Sequence, residues 1–299
     1  MLVTVAICTW NRAESLGRTL SELRELEIPP GVEWELVVVN NNCTDHTDDV
    51  LRQHADHLPI RRVFEAEQGL SAARNCAVAA AKGELILWTD DDILVDPEWL
   101  AQYVRAVRAR PEASFFGGPI TPYFSSSPQP WLRDVWDQVS HLHGARDDSP
   151  EPFAFTVENL PLGGNYAVRA EVQRRYPYDT RYGRKQDGQL RGSESTVLEQ
   201  MVADGLDGRW VPGARVRHHV PEDHQTLAYY RSYYYQAGRC AAMRDRDLGE
   251  HQDLRSRLYL VRQVLKGELK YRLRRILCKP HVWIEDLRQL AYHWGRLLG

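Results

Sequence analysis

The sequence predicts an α/β protein: a mixed, mostly parallel sheet flanked by helices, followed by a C-terminal helical extension. Three observations carry that prediction. Over about the first hundred residues, short apolar runs rich in β-branched residues alternate with stretches whose leucines or alanines recur at helical spacing. Those apolar runs are nearly continuous in hydrophobicity, the pattern of strands covered on both faces. From Gln225 onward the chain turns to long aromatic and basic segments such as "TLAYYRSYYYQAGRC" and "SRLYLVRQVLKGELKYRLRRILCK".

Taken in order, "LVTVAIC" (Leu2 to Cys8) reads as the first buried strand, and "RAESLGRTLSELREL" as a helix with Leu16, Leu20, Leu23 and Leu26 on one face. After "PPG", "WELVVV" (Trp34 to Val39) is the second buried strand, and "TDDVLRQHA" is a second helix. "IRRVFE" is a shorter strand, "LSAARNCAVAAAKG" an alanine-rich helix stopped by Gly83, and "ELILW" the next buried strand. In "TDDDILVDPEWLAQYVRAV" the residue pair Asp96 and Pro97 marks N-cap and first position of a further helix.

The stretch from about Ala101 to His224 is less regular. "PLGGNYAVRAEV" reads as a strand with paired glycines, where backbone or ligand approaches closely. "DTRYGRKQDGQLRGSES" is a long polar loop suited to a lid, "STVLEQMVADG" an amphipathic helix, and "RWVPGARVRHHV" strand-like. There is no internal repeat.

Each of the three strongest strands breaks into polar residues at its C-terminal end: Thr9-Trp10-Asn11, Asn40-Asn41-Asn42 and Asp90-Asp91-Asp92. Right-handed crossovers put all three clusters on one sheet edge, where open α/β sheets bind ligands. Three adjacent carboxylates raise one another's pKa unless a cation offsets them. The triplet is therefore either an exposed acidic turn or a divalent-cation site. An EF-hand is excluded, because Leu94 offers no oxygen ligand and the loop lacks its glycine and closing glutamate. Neither a GxGxxG nor a Walker loop follows the first strand, so a bound nucleotide diphosphate would need a cation to neutralise it. Mg²⁺ or Mn²⁺ on carboxylates meets that need.

With 43% hydrophobic and 26% charged residues, the composition is that of an ordinary globular protein, and a net charge of -3 gives no reason to expect a nucleic-acid partner. Five scattered cysteines, none in a CxxC pair, argue against a disulfide framework or a zinc ribbon and fit a reducing cytoplasm. The N-terminus lacks the basic region of a secretory signal, and no apolar run reaches membrane-spanning length.

The stretches "VAICTWNRAESL", "ELVVVNNNCTDHT", "GLSAARNCAVAAAKGE", "LILWTDDDILVDPEWL", "GGNYAVR", "GSESTVLEQMVADG" and "VPGARVRHHV" occur in the order and roughly the spacing of a known family. In them the chain resembles the family 2 glycosyltransferases of the GT-A fold, with its Rossmann-like sheet. The resemblance implies a catalytic domain over residues 1–224, with a nucleotide-binding half to residue 100 and an acceptor half beyond it, and an extension over 225–299. It implies a nucleotide-diphosphate sugar donor, a UDP-sugar first among the candidates, and a Mg²⁺ or Mn²⁺ ion at the acidic triplet. Asp92 would ligate the metal, with Asp90 and Asp91 placing ribose, diphosphate and metal waters; Asp90 is a further ligand candidate.

By the same resemblance Thr9, Asn11, Arg12, Asn40 and Asn41 would surround the nucleoside, and Arg74 and Asn75 would lie near ribose or diphosphate. Asn11 as a helix cap and Asn75 as a loop clamp are the structural alternatives. Most relatives carry an aspartate where this chain has Asn40 and Asn41; an amide both accepts and donates, so it can pair N3–H and O4 of uracil together. Gly163, Gly164 and Asn165 would border the donor sugar. Glu194 takes the position of the presumed catalytic base, with Gly192 and Ser193 before it and Asp187 as runner-up. Of His218 and His219, strand alternation lets one join the metal, and alignment selects His218. Trp131 and Trp136 either stack on a sugar or belong to the core.

The reading is thus an inverting, metal-dependent glycosyltransferase. A sugar-nucleotide pyrophosphorylase would need a glycine-rich loop that "CTWNRAESL" lacks, and a binding module of the same fold would show no turnover. The basic C-terminal helices are candidates for peripheral contact with the inner face of the membrane, for a homodimer interface, or for a cover on the catalytic core.

Overall fold

The structure, a computed structural model, describes residues 1–181, 184–185, 188–189, 193–247, 249 and 253–299. Two compact units divide the chain, one formed mainly by Met1–Tyr123, Gly144–Gln186 and Gly192–His219, the other by Phe124–His143 and Val220–Gly299.

In the first unit, strands and helices alternate as β1 (Leu2–Thr9), α1 (Ala13–Leu23), β2 (Glu33–Asn40), α2 (Thr47–His54), β3 (Ile60–Phe64), α3 (Leu70–Ala80) and β4 (Leu85–Trp88). There follow β5 (Ile93–Val95), α4 (Trp99–Ala109), β6 (Phe115–Gly117) and β7 (Ile120–Phe124). After the second unit's short α5 (Pro130–Asp134) and α6 (Trp136–Val139) come β8 (Tyr166–Arg169), α7 (Ala170–Gln173), β9 (Arg184–Lys185), β10 (Gly188–Gln189), α8 (Ser193–Ala203), β11 (Gly208–Trp210) and β12 (Val216–Val220). The chain ends in α9 (Leu227–Asp247), α10 (Leu254–Leu277) and α11 (Pro280–Leu298).

The main sheet has seven strands in the order β11-β6-β8-β4-β1-β2-β3. β4, β1, β2 and β3 run parallel, while β8 lies antiparallel between β4 and β6. Strand alternation divides the core cleanly. Val3, Val5 and Ile7 of β1, Leu36 and Val38 of β2, and Leu85 and Leu87 of β4 pack on one face with Leu16, Leu20, Trp99 and Tyr103. Ala6, Val37, Val39, Ile86 and Trp88 pack on the other with Ala73, Ala77, Leu198 and Met201. Both faces are apolar because both are covered, and each fully buried Val, Leu or Ile contributes roughly 1.5–3 kcal/mol.

Two local expectations are corrected. Asp96 and Pro97 do not open a helix: Ile93–Val95 is drawn out as β5 by antiparallel pairing with Val216, Arg217 and His218 of β12, and α4 starts at Trp99. Asp96 contributes its carbonyl, which accepts from Trp99 N at 2.9 Å. Gly83 does not stop α3, which ends at Ala80; a Cβ there would lie 2.5 Å from Thr4 N, so glycine is needed to seat the turn against β1.

The second unit packs Leu132, Val135, Tyr230, Tyr234, Trp283, Ile284 and Leu287 together. Trp131 meets Tyr230 edge-on at 6.3 Å and Trp136 meets Phe124 at 5.5 Å, which places both tryptophans against that core. The helices α9 and α11 touch backbone to backbone at two glycines: a Cβ on Gly238 would lie 2.1 Å from Tyr292 O, and one on Gly295 would lie 1.9 Å from Tyr235 O. Gly295→Ala must push the two helices apart, and overpacking of this kind costs about 1–3 kcal/mol. The expected result is a lower denaturation midpoint for the C-terminal unit; an unchanged midpoint would contradict the close crossing.

Candidate active site

Thr9 and Asn40 are register partners at the ends of β1 and β2, and Trp88, which ends β4, pairs with Ala6. The three polar clusters therefore leave the sheet on one edge. Asn41 N donates to Thr9 O at 3.0 Å, tying the second cluster to the first. Thr9 Oγ1 donates to Asp91 Oδ2 at 2.7 Å. The guanidinium of Arg12 bridges two carboxylates, donating to Asp91 Oδ1 and to Asp92 Oδ2, each at 2.8 Å. On the other side of Asp92, His218 Nε2 stands 3.5 Å from Oδ2, because β12 pairs His218 with Ile93. His219 donates its backbone N–H to Asp92 O at 2.9 Å. The acidic triplet is thus not an exposed turn: Asp91 and Asp92 are buried.

Burial pushes Asp91 up to about 7, with Arg12 opposing and Asp92 adding to the rise. Burial would raise Asp92 as well, but His218 and Arg12 outweigh it and hold that carboxyl well below the usual range. Two buried carboxylates this close do not ionise independently; the pair keeps one charge firmly and the second at a cost that a further cation would remove.

A second charged cluster lies beside the first. Arg74 of α3, almost wholly buried, donates through Nη1 to Ser193 Oγ at 2.6 Å and to Glu194 Oε2 at 2.8 Å, and stands 5.4 Å over the ring of Tyr178. Burial would raise Glu194, yet Arg74 prevails and keeps it ionised, with a quarter of its side chain (25%) open to solvent. Gly163 and Gly164 run between the clusters. A Cβ on Gly163 would lie 2.9 Å from Glu194 Cδ, and one on Gly164 would lie 3.4 Å from Asp90 Oδ2. Absence of side chains at these glycines lets Glu194 and Asp90 face a shared space.

The amides are engaged differently from expectation. Asn165 is fully buried and saturated: Nδ2 donates to Pro119 O and Ala214 O, and Oδ1 accepts from Trp99 Nε1 and Tyr103 OH. No hydrogen-bonding capacity remains for a sugar, so Asn165 is a clamp that joins the β6–β7, α4 and β11–β12 segments. Asn41 is spent in the same way, on Glu65 O, Glu67 O, Gly69 N and Gln68 Nε2. Asn40 donates to Asp48 Oδ1 and accepts from Cys43 N, both at 2.8 Å, which leaves half of its capacity. Asn75 latches the backbone N–H and C=O of Tyr178, the loop-clamp alternative. Asn11, with φ of 51°, accepts from Thr44 N at 2.7 Å; it does not cap α1, whose Ala13 N donates to Asp45 Oδ2. Asp187 and Gly192, with Tyr182, Gly183, Gln186, Leu190 and Arg191 of the proposed lid, lie outside the described residues.

Three residues escaped the sequence reading. Asp45 holds both Ala13 N and Thr47 Oγ1, Asp48 ties Asn40 to Arg62, and Tyr178 floors Arg74, which Ser193, placed by the sequence only as the neighbour of Glu194, shares with that carboxylate. Asp45 and Asp48 had a signal, as acidic residues around the start of a helix. Tyr178 had none.

Among the described residues, no three His, Cys, Asp or Glu side chains converge on one metal position. The donor chemistry nonetheless fits Mg²⁺ or Mn²⁺, which favour carboxylate oxygens and are commonly bound by one or two protein ligands with phosphate and water completing the shell. Asp92 with His218, and Asp90 nearby, are the residues that would supply such a partial set.

A parallel sheet with its charged clusters at the strand ends and an antiparallel β8 defines a GT-A domain. The sequence matches Glycosyl transferase family 2 over residues 4–159, and the chain belongs to that family. Validoxylamine A glucosyltransferase of Streptomyces hygroscopicus subsp. limoneus is 30% identical over 162 residues, 54% of this chain and 35% of that protein. Succinoglycan biosynthesis protein ExoM of Rhizobium meliloti (strain 1021) is 24% identical over 133 residues, 44% of this chain and 42% of that protein. The match therefore spans less than half the length of these curated relatives. Two solved structures share the fold. Mannosyltransferase PcManGT from Pyrobaculum calidifontis, in complex with GDP-Man and Mn²⁺, superposes with a TM-score of 0.61 at 20% identity, over 99% of this chain and 86% of that one. S. aureus TarS 1-349 in complex with UDP-GlcNAc gives 0.56 at 18% identity, over 81% and 66%.

Asn165→Ala removes partners from an indole N–H, a phenol and two carbonyls at once. Buried polar groups left unpaired cost about 1–3 kcal/mol each, so the expected loss is roughly 3 kcal/mol or more in denaturant unfolding without any nucleotide present. Stability equal to the parent, with only donor affinity lost, would contradict the clamp.

Proposed function

We propose that this chain is a metal-dependent, inverting glycosyltransferase that moves a sugar from a nucleotide-diphosphate sugar to an acceptor hydroxyl. The observation that carries the reading is the pair of charged clusters, Asp90–Asp92 with Arg12 and His218, and Glu194 with Arg74, facing each other across Gly163 and Gly164. Nucleotide sugars and Mn²⁺ in the structural relatives' complexes support the donor class and the cofactor. Asp92 and His218 would hold Mg²⁺ or Mn²⁺, with Asp90 beside them; the ion, when bound, neutralises charge on the leaving diphosphate.

Each residue has a stated task. Arg12 balances Asp91 and Asp92 and stands ready beside the diphosphate, while Thr9 fixes Asp91. Asn40, with one N–H and one lone pair to spare, remains the amide able to meet the base, and a uridine donor is the first to test. Glu194 accepts the acceptor's hydroxyl proton as the oxygen forms its bond to the anomeric carbon. The bond from that carbon to the diphosphate oxygen breaks, its electron pair leaves with the diphosphate, and configuration inverts. Ser193 and Arg74 position the carboxylate, and Gly163 admits it to the sugar.

Arg74 lowers the Glu194 pKa, so the base form persists as pH falls below the ordinary glutamate range. Glu194→Gln is expected to reduce kcat about 10²–10⁴-fold with donor KM changed only a few-fold. In Arg74→Gln, burial is no longer outweighed, and the acid limb of the kcat profile moves to higher pH. Full turnover in Glu194→Gln, or an acid limb indifferent to Arg74, refutes the assignment of the base. Product configuration read by NMR reports inversion separately.

A further inference from the structure

The helix α10 carries apolar residues on two opposite sides. One side is accounted for: Leu260 and Val264 are buried, a Cβ on Gly267 would lie 3.5 Å from Leu290 Cδ1, and Lys270 and Arg274 pair with Asp286 of α11 at 2.6 and 3.3 Å. The other side is not. Leu254, Leu258, Leu265, Leu269, Leu273 and Ile276 are between 56% and 83% exposed. At 100° per residue they form one continuous stripe. Between Leu254 and Lys279 the chain holds nine Lys or Arg and a single Glu. Arg255 and Arg262 fall along one margin of the stripe with Lys266 just beyond it, and Arg257 and Arg275 lie beyond the other margin. Among the described residues no carboxylate pairs with Arg255, Arg257, Arg262 or Lys266.

We propose that this face of α10 docks on an anionic phospholipid surface, with the leucines in the acyl boundary and the cations among the headgroups. Charge selects this occupant over a second copy of the chain. Stripe-to-stripe pairing of two copies would oppose two rows of arginine and lysine with Glu268 as the lone acid on each helix, whereas an anionic leaflet complements both rows. The helix lies along the surface, for no helix among the described residues is long and apolar enough to cross a membrane. The sequence shows the basic residues; the structure shows which leucines α11 leaves uncovered.

Co-sedimentation of the full chain with phosphatidylcholine vesicles, and with vesicles that also contain phosphatidylglycerol, tests the docking. Binding should require phosphatidylglycerol and weaken as salt rises. Leu265→Glu with Leu269→Glu should abolish it, and Arg262→Gln with Lys266→Gln should weaken it about twentyfold, since each cation near an anionic leaflet contributes about fivefold. Both double variants change exposed residues, so their unfolding midpoints should match the parent. Equal sedimentation of the parent and the leucine variant overturns the proposal, as does binding indifferent to phosphatidylglycerol. So does a parent dimer that the leucine substitutions split into monomers without any vesicle binding.

Discussion

Compensation of buried negative charge at the end of β4 is the constraint on which the site depends. Asp91 and Asp92 are buried, and burying two carboxylates without a counter-charge is prohibitive. Arg12 meets that need from the β1–α1 connection, which the parallel neighbourhood of β1 and β4 brings alongside. The sheet topology and the site chemistry are therefore one problem: a strand order other than β4-β1-β2 would separate the arginine from its carboxylates.

Glu194 repeats the arrangement with Arg74. In both clusters an arginine supplied by the first hundred residues fixes a carboxylate in a chosen ionisation state and orientation. Gly163 and Gly164 separate the two, and any side chain at Gly163 would strike the Glu194 carboxyl or the Arg74 guanidinium. In the proposed reaction, with the diphosphate at one cluster and the acceptor hydroxyl at the other, catalysis gains from keeping both charges preorganised and the intervening backbone thin.

Strands β1, β2 and β4 were legible in the sequence because both their faces are buried, which leaves a continuous apolar signature. The shared edge of the three polar clusters followed from that reading and right-handed connection. β5 was hidden, since three residues after an acidic triplet look like the approach to a helix, and only their distant partner β12 makes them a strand. Amide roles were hidden for a different reason. Asn41 and Asn165 look the same in sequence whether they bond a ligand or saturate themselves on backbone carbonyls and buried rings, and only the coordinates decide. The two-sided character of α10 was also out of reach, because its apolar residues are legible but the side that α11 covers is not.

Arg12 and His218 offset the charge of Asp91 and Asp92 only in part, so a dication arriving with a diphosphate should bind to this edge cooperatively with it. Calorimetric titration of UDP and GDP into the chain across Mn²⁺ concentrations measures that coupling directly. The expected result is nucleoside diphosphate affinity at least about tenfold higher with Mn²⁺ than with chelator, a coupling of about 1.4 kcal/mol that Asp92→Asn removes. Equal affinity with Mn²⁺ and with chelator, or a coupling that persists in Asp92→Asn, would contradict a dication held at the end of β4.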